Sequence, residues 1–227
     1  MNKNFQIVHC LARFCSILFH PIAMLFYGLI LLLLVKPFWF GVLNSKDAVM
    51  YLLLVFMYSV FIPVIGIALL KLVGLLKSFQ MEEKTDRIIP MLITMIFYFW
   101  MFINLKNHAQ IPKVYIAFIL GSLIALSLSF VLNLWIKISL HMIGISALGT
   151  LIFILRFQYC DDGHCPLKWF DGSLSTLSLN SLIILSFLLW GIVGSSRLIL
   201  EAHQTEEIVL GSFIGIFSIG LGFSYIF

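Results

Sequence analysis

The chain has 227 residues, of which 62% are hydrophobic and only 11% are charged, and its mean hydropathy is +1.10. A soluble domain carries about 25% charged residues, so this composition excludes a water-soluble globular protein and indicates that lipid is much of its solvent. The net charge of +4 comes from basic residues scattered among short loops, which argues against a nucleic-acid-binding protein.

Long apolar runs predict seven transmembrane helices, since a helix needs roughly 20 mostly apolar residues to cross a membrane. In chain order the predicted spans are Ser16–Leu34, Ala48–Leu70, Ile88–Ile103, Val114–Ile136, His141–Phe157, Leu174–Val193 and Ile208–Phe227, and the second could continue as an amphipathic tail to Leu76. The first run is too long for the apolar part of a signal peptide, so we interpret it as a retained helix.

Continuous apolar runs without ten-residue alternation favour helices, and strands are not expected. The predicted fold is therefore an all-α polytopic transmembrane bundle of six to seven spans. It forms a single domain over residues 1–227, and we expect it to be integral to a bacterial inner membrane.

Seven crossings would place successive loops alternately on two membrane faces. The first face, as named here, carries the N-terminus and the loops near residues 71–87, 137–140 and 194–207. It holds eight lysines and arginines against six on the second face, and basic residues are enriched in cytoplasmic loops, so the first face is expected to be cytoplasmic.

The second face carries the short loop Cys-Asp-Asp-Gly-His-Cys over residues 160–165. A disulfide between Cys160 and Cys165 would fit an oxidising compartment outside the cytoplasm, in agreement with the charge count. The alternative is a zinc site, because two cysteines, a histidine and aspartate oxygens are suitable ligand types.

Three polar clusters interrupt the apolar background, and all three fall on the first face. Ionisable groups at membrane depth are costly and mark function by default. Each residue taken alone could be an interfacial side chain or a snorkelling cation. Their combination on one face favours a site. The candidate residues are Lys84, Arg87, Lys137, Ser139, His141, Arg197, His203 and Glu207.

These residue types suit the cleavage of a phosphate ester without a metal ion. His203 and Glu207 are four residues apart, so they share a face if both lie on the start of the last helix. The carboxylate would then fix the imidazole tautomer and leave its other nitrogen free as a nucleophile. His141 could protonate the leaving oxygen, while the cations and the Ser139 hydroxyl hold the phosphoryl group.

The third cluster resembles a motif of the type 2 phosphatidic acid phosphatase superfamily, which includes lipid phosphate phosphatases and haloperoxidases. That motif reads Ser-Arg-x5-His-x3-Asp. Ser196, Arg197 and His203 are in register with it, Glu207 replaces the aspartate, and a Gly-x-x-x-Gly pair follows at residues 211 and 215.

The family's other two motifs match in part, so that the resemblance covers roughly residues 81–216. In the second, Pro-Ser-Gly-His, Ser139 and His141 match while isoleucine and leucine replace proline and glycine. In the first, Lys-x6-Arg-Pro, only Pro90 aligns, and Lys84 and Arg87 could substitute from shifted positions.

The resemblance implies that His203 is the nucleophile, Glu207 its orienting partner, His141 the general acid, and Arg197 with Ser139 phosphate ligands. The implied substrate is a phosphorylated or pyrophosphorylated membrane lipid, and no metal or other cofactor is implied. Many members of this family act on the outer face of the membrane, whereas the charge count puts these residues inside.

Other functions are open at this point. The chain could be a catalytically inactive relative that binds lipid phosphates, or a membrane transporter. A magnesium-dependent prenyltransferase could use Glu82, Glu83 and Asp86, but Asp161 and Asp162, the other acidic pair, fall on the opposite face, which disfavours one shared metal cluster.

Overall fold

The computed structural model describes residues 3–42, 45–76, 84–160, 162–168 and 174–227. Its longer elements are α1 (Lys3–Leu18), α2 (Met24–Val35), α3 (Ser45–Phe56), α4 (Ile62–Leu72), α5 (Ile88–Leu105), α6 (Lys113–Asn133), α7 (Leu140–Tyr159), β1 (His164–Lys168), β2 (Leu174–Ser178), α8 (Leu179–Ile199) and α9 (Thr205–Ile226). Within this described part, seven helical segments are long and apolar enough to cross a membrane. The chain is thus an integral membrane protein, and the predicted all-α polytopic bundle is confirmed.

The sixth span is displaced from its prediction. It runs Leu179–Ile199 rather than Leu174–Val193, because residues 174–178 form β2, which pairs antiparallel with β1. The expectation of no strands is therefore wrong at this one hairpin. The Ser178 side chain accepts a hydrogen bond from the Ser181 backbone N–H and so caps the helix where the strand ends.

A disulfide joins Cys160 to Cys165 beside this hairpin on the second face. Neither sulfur is then a free thiolate, so the pair cannot serve as zinc ligands. Arg156 donates hydrogen bonds to the Cys160 carbonyl and the Asn180 side chain, which ties the end of α7 to the start of α8.

The second span is one long helix with a π-helical stretch at Met57–Phe61 between α3 and α4. Pro63 follows that stretch and has no N–H to give to the turn before it, which accounts for the widened winding. The helix ends at Leu72, and Gly74 has a positive φ of 76°, so the amphipathic extension to Leu76 is not present.

The first span is discontinuous. Its apolar run begins in α1, breaks at His20–Pro21 and continues as α2 after a 3₁₀ turn over Pro21–Ala23. The Tyr98 hydroxyl donates to the Ile22 carbonyl at 3.4 Å, which helps to satisfy the interrupted backbone. Gly144 lets α7 approach this break, since a Cβ there would lie 3.3 Å from the Pro21 Cα.

Glycines in α9 allow its backbone to contact the backbones of α6 and α7 directly. A Cβ on Gly215 would lie 2.5 Å from the Ile143 carbonyl of α7, and one on Gly222 would lie 2.5 Å from the Ala117 carbonyl of α6. Close backbone approach replaces the hydrophobic effect, which does not drive helices together inside lipid. This packing fixes the start of α9 relative to the start of α7.

Candidate functional site

Backbone carbonyls near the α6–α7 connection hold the start of the third span on the first face. Lys84 Nζ donates to the Trp135 carbonyl at 2.7 Å, and Arg87 Nη1 donates to the Ile138 carbonyl at 3.2 Å. The Asn133 amide donates back to the Lys84 carbonyl at 2.9 Å. The first polar cluster is thereby bound to the second, 51 residues later along the chain.

The beginning of α9 joins the same assembly. The Ser139 N–H points to the Glu207 carbonyl, at 3.5 Å, and Gly211 allows the approach because a Cβ there would be 2.8 Å from the Ser139 carbonyl. The three clusters separated in sequence therefore meet at the first face.

His203 and Glu207 form a hydrogen-bonded pair, with 2.6 Å between His203 Nδ1 and Glu207 Oε2. The sequence predicted a shared helical face only if both residues lie on the start of the last helix, and this condition is not met because His203 precedes α9. Gln204 is the N-cap of α9, and Glu207 is the third helical residue, whose side chain reaches back in a capping box. The same carboxylate oxygen accepts the Gln204 N–H at 3.3 Å.

Burial and neighbouring cations keep the imidazole of His203 neutral. Desolvation, followed by the positive charges of Arg87, Arg197 and Lys137, lowers the pKa of His203 from 6.5 to about 3. A carboxylate accepts but does not donate, so Nδ1 carries the proton shared with Glu207. The lone pair of the neutral ring is then on Nε2.

Ser16, near the end of α1, hydrogen-bonds to both His141 and Arg197. His141 Nε2 lies 3.0 Å from the Ser16 carbonyl oxygen, and Arg197 Nη1 donates to the Ser16 hydroxyl at 3.1 Å. Because a carbonyl only accepts, His141 Nε2 carries a proton and the neutral ring has its lone pair on Nδ1. The Arg197 Nε is buried and has no hydrogen-bond partner among the described residues.

A cavity of about 850 Å³ opens at this cluster. The charged and imidazole side chains predicted from the sequence that line it are Arg87, Lys137, His141, Arg197 and His203. Its other first-face lining includes side chains of α1 and the break, namely His9, Arg13, Ser16 and His20. Cations and imidazoles thus share one chamber, which Glu201 also lines.

The cavity continues into the apolar interior of the bundle. Its deeper lining includes Leu25, Thr94, Tyr98, Ser122, Leu126 and Ala147. Arg87 and Tyr98 are 11 positions apart, which corresponds to about 16 Å along a helix, or roughly half of a hydrocarbon core about 30 Å thick. A molecule with a polar head and an apolar chain fits such a chamber.

Three candidate residues lie beside the cavity rather than on its wall. Lys84 is exposed and bound to a backbone carbonyl, Glu207 acts through His203, and Ser139 is fully buried with a hydroxyl that lacks a hydrogen-bond partner among the described residues. None of the three is among the residues that line the chamber. Glu82, Glu83 and Asp161, named for the prenyltransferase alternative, lie outside the described residues.

Sequence reasoning missed Ser16 and His20. The available signal was His20-Pro21 inside an apolar run, since a histidine followed by a helix breaker at membrane depth marks a discontinuous helix. The length of the run alone predicts a plain span.

No family model matches the chain, and neither a curated protein nor a solved structure matches it.

Proposed function

We propose that this protein is a membrane phosphatase that hydrolyses a phosphorylated or pyrophosphorylated lipid through a phosphohistidine, without a metal ion. The observation that carries the proposal is the cavity itself. It combines a carboxylate-bound neutral histidine, three further histidines and four cations at one end with an apolar interior at the other. The motif resemblance of residues 196–207 supports the same chemistry.

His203 is the proposed nucleophile. The Glu207 carboxylate accepts a hydrogen bond from Nδ1–H of His203, so the Nε2 lone pair is free to attack phosphorus. A histidine with its pKa near 3 is neutral throughout the physiological range and needs no prior deprotonation. The bond from Nε2 to phosphorus forms as the bond from phosphorus to the lipid oxygen breaks.

Arg87, Arg197 and Lys137 are the proposed ligands of the transferring phosphoryl group. All three line the cavity and lie close enough to His203 to lower its pKa through their charge. Guanidinium groups suit phosphate because their planar donors match two oxygens at once. These fixed charges would stabilise the transition state in place of a metal ion.

His141 is the proposed general acid. In its protonated form Nε2–H remains bound to the Ser16 carbonyl, and the Nδ1 proton passes to the leaving lipid oxygen. In the second step Nδ1 takes a proton from water as the water oxygen attacks phosphorus and the bond to His203 breaks.

The test is phosphate release by purified protein in detergent with EDTA, using lipid phosphates as substrates. We expect release by the wild type, loss of at least about 10³-fold in His203→Ala, and loss of about 10²- to 10⁴-fold in His141→Ala. His108→Ala is the matched control, because it removes an exposed imidazole at the opposite face. Unchanged activity in both site variants would refute the assignments.

Binding without turnover is the second candidate function. It is favoured by the position of Ser139, whose hydroxyl is buried away from the cavity lining, and by Leu140 in place of the family's glycine. Tight phosphate binding with no release from any lipid phosphate would support this function over hydrolysis.

A further inference from the structure

The break in the first span has a definite chemical cause. Pro21 has no N–H to donate to the Ile17 carbonyl, and the His20 N–H takes that acceptor instead at 3.3 Å. The Ser16 carbonyl, which His20 would bind in a continuing helix, is released and accepts His141 Nε2–H. The proline thus supplies an acceptor to the site and ends α1 beside it.

The same break brings His20 to the chamber. Its backbone is extended, with φ −64° and ψ 134°, which turns the residue out of the helix. Its ring lies edge-on to the ring of His141, with 5.4 Å between centroids, and it lines the cavity that contains Arg197 and His203. His20 therefore adds an imidazole to the proposed site beside those of His141 and His203.

The proton position on His20 is set by its backbone neighbour. The Ile22 N–H donates to His20 Nδ1 at 3.4 Å, so Nδ1 is an acceptor and the neutral ring carries its proton on Nε2. Among the described residues no group hydrogen-bonds Nε2. This nitrogen is a donor available to a molecule in the cavity.

We propose that His20 binds phosphate as a neutral hydrogen-bond donor, through Nε2–H to a phosphoryl oxygen, and is a substrate-binding residue supplied by the broken first span. The inference rests on the phosphate site proposed above, but it requires only binding and not turnover. The role differs from that of His141, whose Nε2–H is committed to the Ser16 carbonyl and whose Nδ1 handles the proton.

The two roles predict different responses to the leaving group. A general acid matters for an alkyl phosphate, whose leaving oxygen must be protonated, and little for an aryl phosphate with an acidic phenol. A neutral phosphate ligand matters equally for both. His20→Ala should therefore slow both substrates by the same factor, whereas His141→Ala should slow the alkyl phosphate more.

The deciding experiment measures the affinity for inorganic phosphate by ³¹P NMR titration of the full chain in detergent. We expect His20→Ala to bind about tenfold to a hundredfold more weakly than wild type, because a donor to a charged oxygen is lost. His20→Gln keeps a neutral N–H donor and should bind close to wild type. His108→Ala, which changes a histidine of the opposite face, should be unchanged.

Each outcome decides the proposal. Equal affinity of wild type and His20→Ala overturns it, and so does equal loss in His20→Ala and His20→Gln, which would indicate packing alone. A rate loss in His20→Ala confined to alkyl phosphates would make His20 the acid instead. If wild type binds phosphate but releases none from lipids, hydrolysis fails while the His20 result stands. If wild type binds no phosphate, the His20 proposal is overturned, while the proposal of hydrolysis is decided separately by the phosphate-release assay.

Discussion

Glu207 satisfies two donors at once at the start of α9, the Gln204 N–H of the helix cap and the Nδ1–H of His203. The spacing of four residues predicts that His203 and Glu207 pair if both lie on one helical face. The actual cause is local capping, in which a glutamate at the third helical position reaches back. The pairing of the two residues could be predicted from the sequence, whereas the position of His203 outside the helix could not.

The pH behaviour of His203 follows from its surroundings. With a pKa lowered from 6.5 to about 3, the ring stays neutral as the pH falls from about 7 to about 5, so the proposed nucleophile is not lost by protonation in that interval. ¹⁵N NMR of histidine-labelled protein in detergent should show neutral His203 at about pH 5. Arg87→Gln should raise this pKa, because it removes a neighbouring cation. A wild-type His203 that titrates near 6.5 would contradict the described burial.

Ser139 illustrates what residue-level patterns leave open. Its position beside His141 suggested a phosphate ligand, yet its hydroxyl is buried outside the cavity lining. Which way a side chain faces in the α6–α7 connection depends on how that turn packs against α9, and nothing in the local spacing determines it. Arg87 and Lys137, chosen from the same kind of pattern, do line the chamber.

At the scale of elements, the sequence predicts the number of spans well, but it does not show where a span is interrupted or where it begins. Apolar run length identifies seven spans correctly, because lipid demands about 20 apolar residues of any helix. It does not distinguish β2 from the start of α8, since Leu174–Ser178 is apolar enough to extend the run. It also does not report the break at His20–Pro21, from which two contacts of the site arise.

The packing of α9 on α7 is the element-level contact on which the site depends most. Gly215→Ala would place a Cβ 2.5 Å from the Ile143 carbonyl, so the helices must separate. We expect a stability loss of about 1–3 kcal/mol and a fall in phosphate release, because His203 lies just before α9 and His141 lies in the first turn of α7.

The matched control lies on the same helix. Gly220→Ala would place its Cβ in open space, with no atom within 4 Å, so its thermal midpoint in detergent and its activity should equal those of wild type. Equal stability of the Gly215 and Gly220 variants would show that close approach of α9 is not what holds the site.

At the scale of the whole molecule, the order of the spans predicts which loops lie on the same membrane face. Each crossing moves the chain to the other face, and two spans separate each polar cluster from the next, so the three clusters share one face, where the structure joins them by hydrogen bonds. The cavity beneath them could not be predicted in the same way. Its volume depends on how α2, α5, α6 and α7 diverge, which is a property of packing and not of hydropathy.

The combination of a charged end and an apolar interior is what links the fold to the proposed chemistry. A soluble phosphate would need only the cations, whereas the lining of this chamber runs from Arg87 to Tyr98, about 16 Å along a helix. Such a shape fits a lipid whose headgroup reacts at the membrane surface while its chain stays in the bundle.

The central claim is that a phosphoryl group passes to His203, and the most direct measurement is to trap it there. Purified protein in detergent would be mixed with a ³²P-labelled lipid phosphate, quenched in alkali and digested for peptide mapping. The account predicts an alkali-stable, acid-labile label on the peptide that contains His203, absent from His203→Ala. Phosphate release by the wild type with no labelled peptide, or with the label on another residue, would contradict it.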